Sequence, residues 1–197
     1  NTFDGKTVIA NGTLKVTGSL SEKTAVSVES GATYIVDSTD TIGSIEGAGS
    51  IQIATDKTLT AGGLDTNTEV SGVISGEGGF TKVGTGTTTF SGDNTYSGET
   101  NINEGRLTLA NISAIDQSSS TVVNGTGQLD LYTYSANDSL DRGKEFKINQ
   151  VKIAEGGQLF VSARNPLVAE SISLDANSSV GSINPGGFVV EIFEKTD

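Results

Sequence analysis

Residues 71–109 read SGVISGEGGFTKVGTGTTTFSGDNTYSGETNINEGRLTL. The stretch ends on a phrase that decides the fold: a glycine, then apolar residues at every second position. In Gly105-Arg106-Leu107-Thr108-Leu109 a strand would send Leu107 and Leu109 to one face and Arg106 and Thr108 to the other. Gly78-Gly79-Phe80-Thr81 is a looser version. A glycine ahead of each run suits a corner where the backbone needs a positive φ.

The phrase recurs outward in both directions. Gly12-Thr13-Leu14-Lys15-Val16, Gly49-Ser50-Ile51-Gln52-Ile53, Gly127-Gln128-Leu129-Asp130-Leu131 and Gly157-Gln158-Leu159-Phe160-Val161 are clear copies. Gly31-Ala32-Thr33-Tyr34 is another loose one. Successive glycines of the seven lie 19, 18, 29, 27, 22 and 30 residues apart. That interval is the signature of a repeat architecture, and its variation suits coils of fixed core joined by loops of unequal length. No window shows an apolar helical period; Ile112–Gln117 reads at most as a single helical turn.

The expected fold is therefore all-β, a right-handed parallel β-helix (solenoid). A sandwich would use hairpins between paired runs. Asn11-Gly12 and Asn124-Gly125 occur, but the runs around them are not symmetric pairs. A single phrase repeated in one direction stacks as coils, each burying its inward side chains against the next. Coils of this length give roughly eight turns and a rod on the order of 40 Å long. The whole of 1–197 reads as one β-helical region. Its apolar segment Phe188-Val189-Val190-Glu191-Ile192-Phe193 is the expected last strand.

Composition fits. There are 26 Gly and only 2 Pro, with 34% hydrophobic residues, suiting many turns around a thin core. Without Cys there is no disulfide framework, Cys-based zinc site or thiol nucleophile. Absent Cys is also compatible with export through an oxidising compartment in an unfolded state. The net charge of −12 repels phosphate backbones and anionic lipids, so nucleic acid and direct membrane insertion are not expected. No apolar run is long enough to span a bilayer. No charged and apolar leader opens the chain, so no signal peptide is expected within it.

The segment 71–109 closely resembles the autotransporter-associated β-strand repeat of type V secretion passengers. The family phrase appears here as Gly78-Gly79-Phe80-Thr81-Lys82, Gly84-Thr85-Gly86-Thr87, Ser91-Gly92-Asp93-Asn94-Thr95-Tyr96-Ser97-Gly98 and Gly105-Arg106-Leu107. The resemblance covers 39 residues, about a fifth of the chain. It implies an exported bacterial protein, secreted or held at the cell surface, whose C-terminal translocator barrel carries the passenger across the outer membrane. No barrel is visible in this sequence, so the chain reads as passenger.

Catalytic chemistry is not expected. Without His there is no Ser-His-Asp triad, and neither a Gly-Asp-Ser-Gly motif nor a nucleophile elbow is found. Gly84-Thr85-Gly86 starts a dinucleotide fingerprint, but Thr89 stands at the third glycine; Gly5-Lys6-Thr7 lacks the upstream glycine of a phosphate loop. A calcium loop opening at Asp37 would place Ala48 at its last ligand. No cofactor or metal is expected. No spacing singles out a carboxylate pair, and no sugar-stacking platform is evident, because most aromatics occupy inward positions.

Residues 132–152 break the phrase. They hold Tyr132, Tyr134, Arg142, Lys144, Lys147 and Lys152, with four of the chain's 12 basic residues. A loop projecting from a rigid rod is where binding residues gather, and Tyr and Arg are enriched at interface centres. Tyr132, Tyr134, Arg142, Lys144 and Lys147 are therefore the expected contact residues of an adhesin-like passenger. The expected partner is a host-cell surface protein or glycan, with self-association open. A released effector engaging a host receptor, a passive stalk and a polysaccharide-active enzyme are the rival readings.

Overall fold

The computed structural model describes residues 2–132, 144–161, 166–182 and 190–192. Regular structure among them is strand throughout. The first part runs β1 (Thr7–Ile9), β2 (Thr13–Val16), β3 (Ala25–Val28), β4 (Thr33–Val36), β5 (Asp40–Ile42), β6 (Ser44–Gly47), β7 (Ser50–Ile53), β8 (Thr58–Ala61), β9 (Thr68–Val70) and β10 (Ile74–Gly76). The middle holds β11 (Gly79–Lys82), β12 (Thr87–Phe90), β13 (Thr100–Ile102), β14 (Arg106–Leu109), β15 (Thr121–Val123) and β16 (Gln128–Leu131). The last part holds β17 (Phe146–Ile153), β18 (Gln158–Val161), β19 (Leu167–Leu174), β20 (Ser179–Ser182) and β21 (Val190–Ile192).

These strands form three sheets. The first runs β1-β3-β6-β9-β12-β14-β16-β18-β20, the second β2-β4-β7-β10, the third β5-β8-β11-β13-β15-β17-β19-β21. Every pairing is parallel, as in β14 with β16 and β2 with β4. The chain visits the sheets in turn and returns to the first one coil further along, which makes a parallel β-solenoid of about eight turns. Parallel strands cannot be joined by tight hairpins, so the sandwich is excluded. The expected last strand is present as β21, paired to β19 from Leu167↔Val190 to Ala169↔Ile192.

The core follows from the alternation. Leu107, Leu129 and Leu159 stack in register along the first sheet, beside Leu109, Leu131 and Val161, and all six are buried. Each such side chain contributes about 1.5–3 kcal/mol over leaving it in water. Phe80 and Phe90 meet edge to face across the interior, with ring centres 5.0 Å apart.

Corners differ in part from the sequence reading. A left-handed glycine does open the strands after Gly12, Gly31 and Gly105, with φ of 75°, 84° and 62°. Before β16 and β18, however, the left-handed residues are Gly125 and Gly156. The phrase glycines there, Gly127 and Gly157, instead allow close approach: a Cβ would stand 2.3 Å from the Ile102 carbonyl and 2.5 Å from that of Val123. Other corners use Asp56 or Asn177, each at φ 59°, residue types that tolerate this conformation. Segment 112–117 is not a helical turn but part of two hydrogen-bonded turns, Ala114 to Asn111 (3.1 Å) and Ser118 to Ile115 (3.1 Å).

The cross-section changes along the rod. The second sheet ends at β10. In the next two coils its place is taken by non-strand segments around Asn94–Ser97 and Asn111–Ser118. Further on, β17 and β19 are eight residues each. Their pairing lapses only at Asn149 and Glu170, so they run as long ribbons where earlier coils turn a corner.

Candidate partner-binding site

The residues that spell the repeat lie inside the rod. Lys82 is fully buried at the corner after β11. Its Nζ donates to the carbonyls of Val83 (2.6 Å), Gly84 (2.7 Å) and Glu104 (3.4 Å). Burial lowers its pKa to about 8, against the pull of Asp65 and Glu104. Asn94 is buried as well: its Oδ1 accepts from the Ile74 N–H (2.8 Å) and its Nδ2 donates to the Ala114 carbonyl (2.8 Å). One amide thus joins the coil before it to the coil after it. The Tyr96 hydroxyl lies 2.6 Å from Thr100 Oγ1, itself 2.9 Å from Ser118 Oγ. Burial raises the Tyr96 pKa. None of these groups can meet a partner; together they satisfy backbone polar atoms that the corners leave open.

The expected contact residues divide. Tyr134 and Arg142 lie outside the described residues. Tyr132 follows β16 directly, is exposed, and its N–H donates to the Leu109 carbonyl at 3.0 Å. Lys147 is not on a loop, contrary to the expectation: it sits on the outer face of β17, in register with Val168. Lys152 is also on that strand, pairing with Asp175 at 3.6 Å. The signal was available, since Phe146 and Ile148, then Val151 and Ile153, alternate and are buried. The parity slip at Asn149–Gln150 hid it.

What the structure brings together is Lys144 and Lys147 with the turn segment of an earlier coil. They line an open groove of about 400 Å³ with Ile112, Ser113, Asp116 and Glu145. A second recess of about 270 Å³ continues past Lys147 to Asn149, Val168 and Glu170. The groove exists because the second sheet has ended and a turn segment abuts a long strand, where Asn149 Nδ2 donates to the Ser118 carbonyl (2.8 Å). Ile112, Asp116 and Asn149 belong to this site and were not singled out in sequence; their proximity depends on how coils stack. Among the described residues, no three acidic side chains converge as metal ligands.

A coiled parallel rod with an interior signature and a recessed, mixed-charge groove defines a solenoid scaffold that presents a surface. The model of the passenger-associated-transport-repeat family matches residues 1–16 and 80–109. This match and the solenoid fit an autotransporter passenger, and the repeat family implies export to the cell surface or secretion. Neither the curated proteins nor the solved structures give a match.

Proposed function

We propose that this passenger acts as a binding protein rather than an enzyme, an adhesin-like virulence factor that engages a host-cell or bacterial partner. The observation that carries the reading is the groove between Lys144, Lys147 and the Ile112–Asp116 turn segment. Two lysines balance Asp116 and Glu145 around the groove, which departs from the acidic field of a rod of net charge −12. They flank an apolar residue, Ile112, in a recess, and such a mixed surface suits a protein partner with its own acidic side chains. The absence of His and Cys supports binding over catalysis.

The test is Lys144→Glu with Lys147→Glu. Attachment of the displayed passenger to cultured cells should fall at least about fivefold, the loss expected when rim charges are reversed, with an unchanged melting curve. Unchanged attachment rejects the groove. Activity of the soluble chain on cells, lost in the same variant, would instead mark a released effector. A passive stalk is the second reading, favoured by the wholly interior placement of the repeat's Lys82, Asn94 and Tyr96; it predicts no binding in either format.

A further inference from the structure

The outer face of the first sheet changes character along the rod. One outward row holds Val8, Ser27, Glu46 and Glu69 in the early coils, then Thr89, Thr108, Asp130 and Phe160. The adjacent row brings Arg106, Gln128 and Gln158 together. Here side chains form a connected array. Arg106 donates from Nε (3.2 Å) and Nη2 (3.0 Å) to Gln128 Oε1, and from Nη1 to Asp130 Oδ2 (3.2 Å). Its guanidinium carbon stands 6.0 Å from the centre of the Phe160 ring. Gln128 Nε2 donates to Gln158 Oε1 at 2.8 Å.

One buried atom in this array has no hydrogen-bond partner. The Asp130 side chain is 9% exposed, and its Oδ1 is buried without a hydrogen bond. Burial raises the Asp130 pKa, with Arg106 opposing. A buried carboxylate oxygen is costly unless something donates to it. Arg106 already occupies Oδ2 and the neighbourhood of Phe160, so a second cation would be repelled. The missing donor is neutral. Arg106 is 43% exposed, and its long side chain can lift to admit one. Around that opening stand amides that both donate and accept, and an outward aromatic ring, which the sequence reading did not credit. Hydroxyl donors, amide-seeking oxygens and an apolar C–H face occur together in a saccharide ring.

We propose that the Arg106, Gln128, Asp130, Gln158 and Phe160 patch is a glycan-binding site that takes a neutral saccharide, with one hydroxyl donating to Asp130 and the ring edge along Phe160. The site is separate from the Lys144–Lys147 groove and does not depend on it. The ladder repeats its side chains about every 4.8 Å along the rod, so an extended chain of sugars would lie along the axis.

The test adds gluco-, galacto- and N-acetylglucosamine oligosaccharides at millimolar concentration to the isotopically labelled full chain, followed by nuclear magnetic resonance. The expected result is saturable shifts of the Gln128 and Gln158 side-chain amides and the Phe160 ring with at least one series. Asp130→Asn and Phe160→Ala should each weaken binding about tenfold or more, the worth of one good contact. Gln158→Ala, which keeps the Arg106–Asp130 pair, serves as a second variant if either of these unfolds. Lys144→Glu with Lys147→Glu should leave the shifts intact, so failure of the groove and failure of this site are distinguishable. No saturable shift with any series, shifts unchanged in the variants, or a response to oligolysine peptide alone would overturn the proposal.

Discussion

Lys82 shows how a residue that looks like a surface cation becomes part of the interior. Its side chain turns inward like that of Phe80 two residues before it, and its ammonium ends on three carbonyl oxygens. The desolvated charge carries a pH signature. Unfolded, the lysine keeps its proton to about 10.5; folded, to about 8. Between those values the unfolded chain binds more protons, so this group makes stability rise with pH, its cost being fully present below pH 8. Tyr34, buried against Asp40, and Tyr96 act in the opposite sense, because burial raises both hydroxyls above their ordinary 10.0 and the unfolded chain ionises first. The urea midpoint should therefore climb from about pH 8 to 10 and turn down above it. In Lys82→Met the climb should flatten while the downturn stays; an unchanged climb would detach it from Lys82. Asn94→Ala strands the Ile74 N–H and the Ala114 carbonyl together, and should cost about 2–4 kcal/mol by denaturant unfolding. Hydrogen exchange should be fastest to rise at the Ile74 amide.

Most individual strands hold only three or four residues, and none is stable alone. Their order comes from having neighbours on both sides, with inward residues in register. Period-2 alternation was enough to read Leu107 and Leu109 as inward, and both are fully buried. It failed where the register slips. In β17, Phe146 and Ile148 face in with one parity and Val151 and Ile153 with the other. A sequence cannot announce that shift, because it arises where a strand bends past a corner rather than turning it. The consequence is functional: it sets Lys147 on a strand face beside the turns at Asn111–Ser118 and so creates the groove.

For the whole molecule, coils interact chiefly with their neighbours, so stability is close to a sum over coils and their interfaces. β12 and β14 begin 19 residues apart and pair from Thr87↔Arg106 onward. Deleting residues 87–105 would thus join equivalent points of adjacent coils. The shortened chain should keep its β-sheet circular dichroism, with an m-value lower by about a tenth, in proportion to the surface no longer buried. Loss of cooperative unfolding would show that the repeat's buried polar links bind coils more tightly than nearest-neighbour stacking allows. The sequence alone determined the parallel coil, its inward leucines and valines, and the passenger repeat, because a local phrase repeated at coil length leaves a small set of ways to bury its apolar face. Only the tertiary structure decided that Lys82, Asn94 and Tyr96 are interior, that Ile112 and Lys147 line one groove, and that Asp130 pairs with Arg106 and stands in register with Phe160. The links from Lys82 to Glu104, from Asn94 to Ile74 and Ala114, and from Asp130 to Arg106 and Phe160 join residues 20 or more apart, across coils of unequal length, and stacking register, which no local pattern encodes, brings them together.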